Sequence, residues 1–167
     1  MVINEQPNTD RIWEWMKEVE DPEIPVLNVI DLGVVRKIAY DAETLVVTIT
    51  PTYSGCPAMK TIEKDIAEVL EEYGVTKYRI ETVLSPAWTT DWMSDEGKLK
   101  LHQVGIAPPV GHSADKSLLM GKIRTVRCPI CGSEDTQMVS QFGSTACKAL
   151  FQCEDCLEPF DYFKCLK

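Results

Sequence analysis

The sequence has no apolar run near the roughly 20 residues that cross a bilayer, so a membrane helix is not expected. It has no basic excess either: 17 Lys and Arg stand against 26 Asp and Glu, a formal net charge of −9. A duplex-binding domain carries a basic face that displaces counterions from phosphates, so nucleic acid is not an expected partner. The stretch 123–167 repeats the point, with five basic and six acidic residues. Histidine is scarce: His102 and His112 are the two present, and each reads as a surface or packed side chain. There is no HExxH helix, serine elbow or glycine-rich phosphate loop. A nucleophile–base–orienter set is therefore missing, and an autonomous enzyme is not expected. The first residues, MVINEQPNTDR, have neither the basic nor the apolar region of a secretory leader, and a cytoplasmic protein is the expectation.

Cysteine, by contrast, is plentiful and unevenly placed. Cys56 stands alone, while Cys128, Cys131, Cys147, Cys153, Cys156 and Cys165 fall near the C-terminal end. In a reducing compartment such a cluster points to metal before disulfides. Cys128-Pro-Ile-Cys131 and Cys153-Glu-Asp-Cys156 are two CxxC pairs with 21 residues between them. Each pair puts two thiolates on one tight turn, and two such knuckles complete a tetrahedron of sulfurs about 2.3 Å from a metal. Gly132 follows the first knuckle, where a left-handed residue lets the turn close. The expectation is one structural zinc per chain on Cys128, Cys131, Cys153 and Cys156, with an iron–sulfur cluster or a redox dithiol as alternatives. Four thiolates leave no open coordination position, so this ion holds the fold and does no Lewis-acid work. Cys147 and Cys165 are surplus: either small core residues beside the ribbon, or one of them replaces a knuckle cysteine.

Apolar periodicity places the remaining elements. A first helix runs from Asn8 or Thr9 to Glu20, with Ile12, Met16 and Val19 at helical spacing and a polar cap. Asp21-Pro22 ends it, because the residue before proline is pushed out of the helical region. Val34–Tyr40 and Leu45–Thr50 read as a β-hairpin across Asp41-Ala42-Glu43. A second helix starts near Pro57 with Met59, Ile62, Ile66 and Val69 or Leu70 on one face and Gly74 at its C-terminal cap. Lys77–Leu84 is a third strand, and 90–104 a further helix or two turns. Gln137–Ser140 and Lys148–Gln152 are the expected ribbon strands. The fold class is α+β: a small mixed sheet with helices packed on it over residues 1–104, a linker over 105–122, and a small C-terminal β zinc ribbon over 123–167. Some 45 residues rarely bury enough apolar surface to fold alone, so metal is needed in the tail.

Cys56 lies between a strand end and a helix start, with Pro57 suited to the first helical position. A helix N-terminus favours the thiolate, making it available to a metal or an electrophile; a buried cysteine closing the turn is the other reading. Asp21, Glu23 and Asp31 fall near the same end of the sheet.

The segments DPEIPVLNVIDLGVVRKI, TPTYSGCPAMK and LSPAWTTDWM resemble the MIP18 family, also called the DUF59 domain. The matching motifs are Asp21-Pro22-Glu23, Asp31-Leu32-Gly33, Thr52–Pro57 and Pro86–Trp88. The ribbon tail narrows the resemblance to members that accompany the bacterial phenylacetyl-CoA epoxidase system of aerobic phenylacetate catabolism. The resemblance implies an accessory role in which the protein assists maturation of an iron–sulfur or other metal centre, first of all that of the system's reductase component. It implies that Cys56 handles iron or a nascent cluster transiently, with Asp21 or Glu23 nearby. The alternative is a stoichiometric docking component of the epoxidase complex, with Phe151, Phe160, Tyr162 and Phe163 as its docking face; packing of the ribbon's own small core is the other reading of these aromatics. Self-association into a homodimer is a further expectation. In the linker, a metal site would rest on His112 alone.

Overall fold

A computed structural model describes residues 6–111 and 125–164 of the chain. The Asn8 side chain caps α1 (Thr9–Trp15) by accepting the Asp10 N–H, and the helix tightens into a 3-10 turn over Met16–Glu18. An extended loop follows, closed by an isolated antiparallel bridge between Glu20 and Asn28. The loop leads into the hairpin β1 (Val35–Asp41) and β2 (Thr44–Ile49), which begin and end within a residue of the sequence reading. Helix α2 (Met59–Glu72) buries Met59, Ile62, Ile66 and Leu70. It closes in a Schellman motif, with Val75 N–H on the Leu70 carbonyl and Gly74 N–H on that of Glu71. The third strand, β3 (Tyr78–Thr82), pairs parallel with β2, so the sheet runs β1-β2-β3 and is mixed as expected. Leu45, Val47 and Ile49 point inward from β2 against Ile12, Met16 and α2.

The stretch 90–104 divides into a 3-10 turn, Thr90–Trp92, and α3 (Asp95–Gln103), which Ser94 caps by accepting the Gly97 N–H. Two of the recurring motifs hold this region to the core. Asp31 is buried and receives Lys100 Nζ at 2.7 Å and Ser94 Oγ at 3.0 Å. Trp88 donates its indole N–H to the Leu32 carbonyl at 2.8 Å. Gly33, at φ +68°, passes so near the Trp92 backbone that a Cβ would stand 2.3 Å from the Trp92 carbonyl oxygen. Asp31 is thus a buried anchor for α3.

The C-terminal sheet has the order β4-β7-β6-β5, from β4 (Ile106–Ala107), β5 (Thr136–Ser140), β6 (Lys148–Cys153) and β7 (Pro159–Phe163). Two strands go beyond the sequence reading. β7 stays hidden there because PFDYF is too short to show alternation. β4 falls at the start of the stretch expected as linker and pairs parallel with β7. Phe151, Phe160 and Tyr162 fill the ribbon's own small core with Val126 and Ala149. Phe163 and Cys147 turn the other way, into the core of the N-terminal half. All four aromatics are buried, so the docking face expected from them does not exist as a surface. His112 and Cys165 lie outside the described residues, and His102 is exposed on α3.

Candidate metal centre and a thiol–carboxylate site

The first site is the pair of knuckles. The sulfurs of Cys128, Cys131, Cys153 and Cys156 all lie within 4.8 Å of one another. Cys128 and Cys156 are 3.8 Å apart, and Cys131 and Cys153 are 3.5 Å apart. A tetrahedron with metal–sulfur bonds of about 2.3 Å has edges of about 3.8 Å, so the donor set fits a thiophilic ion. The turns are built for it: Gly132 sits at φ +79° with its N–H on the Cys128 carbonyl, and Cys128 N–H meets the Ser133 carbonyl. Backbone N–H groups of Cys156 and Asp155 aim at Cys153 and bring its thiol down to about 7. These are the outer-shell contacts a thiolate ligand uses. Neither Cys147 nor any other cysteine among the described residues enters this cluster.

The second site lies where the two halves meet. Asp21, Glu23, Thr52, Cys56, Cys147 and Phe163 line one cavity, floored by Ile24 and Leu32. The three residues singled out as iron- or cluster-handling, Cys56, Asp21 and Glu23, therefore do come together. Each is placed by its own local structure. Asp21 accepts the N–H groups of Glu23 at 2.9 Å and Ile24 at 2.7 Å, which folds the DPEIP loop back and presents Glu23. Cys56 closes a turn onto the Tyr53 carbonyl with Gly55 at φ +82°, the left-handed third position of a type II turn. α2 starts later than the sequence suggests, at Met59 with Ala58 as its cap, so Cys56 precedes the helix by three residues. Pro57 has no N–H to donate, and the first regular turn is that of Ile62 onto Ala58.

Cys147 is the residue that the sequence reading misses, expecting of it only core packing or a knuckle ligand. Its thiol is buried, approaches Glu23 Oε2 at 3.8 Å and contacts Thr145 Oγ1 at 3.1 Å. Its backbone carbonyl accepts Lys164 N–H at 2.8 Å, which fixes it between β6 and the end of β7. Burial pushes this thiol up to about 11, with Glu23 and Asp21 adding to the effect while Thr145 and Lys148 oppose it. At neutral pH it is an S–H that donates to the carboxylate. The Tyr53 hydroxyl is pushed up to about 12, by burial first and then by Cys56. Burial also raises the Asp21 carboxyl, against the two backbone N–H groups and the charge of Lys148. No signal in the sequence could have paired Cys147 with Glu23, because 124 residues separate them. Among the described residues, the knuckle set is the one group of three or more such ligands that closes within 4.8 Å, so the second site is open as it stands.

Fold and sites together define a DUF59-type α+β domain carrying a zinc β-ribbon. Residues 9–81 match the family described as "Iron-sulfur cluster assembly protein", and residues 112–164 the "PaaD zinc beta ribbon domain". The DUF59 crystal structure from Bacillus anthracis superposes with TM-score 0.52 at 28% identity, covering 55% of this chain and 89% of that one. A conserved hypothetical protein from Thermotoga maritima gives 0.51 at 29% identity over 59% and 98%. A Staphylococcus aureus (strain USA300) protein named as an Fe-S protein maturation auxiliary factor is 35% identical over 50% of this chain and 96% of its own length. An Escherichia coli (strain K12) protein, provisionally named as a component of 1,2-phenylacetyl-CoA epoxidase, is 47% identical over 96% of this chain and 94% of its own. The chain belongs to the PaaD family, the group of phenylacetyl-CoA epoxidase components that this relative represents.

Proposed function

We propose that this protein is a non-catalytic accessory factor of the phenylacetyl-CoA epoxidase system that assists maturation of an iron–sulfur or other metal centre, first that of the reductase component. The observation that carries this reading is the convergence of Cys56 with Glu23 and Asp21 on one cavity. A half-buried thiol on a loop, beside carboxylates, suits a cargo that must be taken up and released by ligand exchange. The names of the Escherichia coli and Staphylococcus aureus relatives support the system and the activity respectively. In this reading the four-cysteine site holds one zinc per chain, that ion stabilises the ribbon, and the protein meets its client in the cytoplasm. No helix among the described residues is long and apolar enough to cross a membrane. The test is reductase cluster occupancy in a strain lacking this protein. Wild type is expected to restore it and Cys56→Ser to leave it low; full restoration by Cys56→Ser would overturn the proposal.

A stoichiometric docking component is the second reading. It is favoured by Ile130 and Leu157, which stand exposed beside the two knuckles in place of the buried aromatics. Gel filtration of co-expressed components separates the readings, since a docking component co-elutes with the oxygenase and a transient factor does not.

A further inference from the structure

The ribbon contributes chemistry as well as shape to the junction. Cys147 is 5% exposed, belongs to the same buried cluster as the N-terminal core, and lines the cavity that Cys56 and Glu23 line. A cysteine kept for packing alone needs apolar neighbours. This one has them, but its thiol also faces a carboxylate oxygen at 3.8 Å and a threonine hydroxyl at 3.1 Å. The groove therefore offers two soft thiol donors and the carboxylate of Glu23, a mixed set that borderline divalent ions accept, while the second carboxylate, Asp21, is engaged by the N–H groups of Glu23 and Ile24. The cavity measures about 10 Å³, close to the space of one water molecule, which suits a single ion and is too small for a cluster. Cys56 and Glu23 are still partly open to solvent, so side-chain rotation can close the set around an ion entering from outside. The knuckle cysteines are already committed to one another.

We infer that Cys147 is the second thiol ligand, with Cys56 and Glu23, of an ion-binding site that takes one thiophilic divalent cation, Fe2+ in the cell. The site is complete when ribbon and N-terminal half are apposed. Binding converts two thiols to thiolates and releases two protons, with no change in the metal's oxidation state. This inference rests on the maturation reading proposed above, and it adds that the cargo is received as an ion at the junction.

The experiment is an anaerobic Co2+ titration of the full-length, zinc-loaded protein, followed by the thiolate-to-Co2+ charge-transfer band. Zinc outcompetes cobalt at a four-thiolate site, and zinc assayed after the titration confirms that the ribbon is untouched. Wild type is expected to bind one Co2+, which only a large molar excess of Fe2+ displaces. Cys147→Ser and the smaller, apolar Cys147→Ala are expected to lose about half the band and to bind at least about tenfold more weakly, as is Cys56→Ser. Glu23→Gln is expected to weaken binding with the band kept. No second ion in wild type, or an unchanged band and affinity in both Cys147 variants, overturns the inference. If the Cys147 variants match wild type while Cys56→Ser fails to restore the reductase cluster, the ligand assignment falls and the maturation role stands. If both thiols bind Co2+ and Cys56→Ser still restores the cluster, the ion site stands and the maturation role falls.

Discussion

Phe163, the last residue of β7, sets its ring edge-on against Trp88 of the N-terminal half, with centroids 6.1 Å apart and planes at 82°. Such edge-to-face pairs add to the burial of two large rings. Trp88 is also fixed by its bond to the carbonyl of Leu32, which lines the thiol–carboxylate cavity. Through these two rings the ribbon is tied to the site it helps to form.

Replacing Phe163 with Ala is expected to cost about 3–5 kcal/mol of stability in urea unfolding. The same variant is expected to expose Cys147, so its alkylation by iodoacetamide speeds up under native conditions. A stability loss without faster alkylation would separate the ring contact from closure of the cavity.

Metal analysis should give one zinc per chain, and Cys131→Ser should lose it. A strong chelator is expected to unfold the ribbon, because this small core of Phe151, Phe160 and Tyr162 depends on the ion. Trp88 emission should change with it, since Phe163 leaves when β7 does. Unchanged tryptophan emission after full zinc loss would show that the junction holds without the metal.

Gly33 and Gly55 both have positive φ, but for different reasons. At Gly33 a Cβ would collide with the Trp92 backbone, so Gly33→Ala is expected to cost about 3 kcal/mol or more. At Gly55 a Cβ meets nothing within 4 Å, and Gly55→Ala should cost about 1–2 kcal/mol from the left-handed backbone alone. Thermal unfolding of the two variants checks the order, and metal binding should suffer in Gly55→Ala because that turn aims Cys56.

The Lys100 ammonium is held above its ordinary 10.5, first by its hydrogen bond to Asp31 and against the pull of burial. A cation whose folded value is raised contributes stability that is whole below pH 10.5 and is lost as pH rises through the folded value. The wild-type urea midpoint should therefore fall above pH 10.5 more steeply than that of Lys100→Met. At neutral pH, Asp31→Ala leaves Lys100 and Ser94 without their shared partner, at about 2 kcal/mol.

Much of this architecture is legible in the chain because it is set by near neighbours. The knuckles need two cysteines on one turn; the hairpin needs two β-branched runs and a short turn; α2 shows its buried face at every third or fourth residue. The carboxylate pair Asp21 and Glu23 could be placed beside Cys56 through the family resemblance, although their local roles differ: Asp21 shapes the loop and Glu23 faces the cavity. β7 and β4 escape such a reading because they are short and draw their partners from elsewhere in the sheet.

What the sequence determined by itself is whatever a few consecutive residues can specify: the knuckle cysteines, the apolar helix face, the turn that carries Cys56. Only the tertiary structure decided that β3 runs parallel to β2, that the tail's aromatics divide between two cores, and that Cys147 faces Glu23 across 124 residues. Contacts over such separations depend on how whole elements pack, and side-chain spacing along the chain carries no record of them.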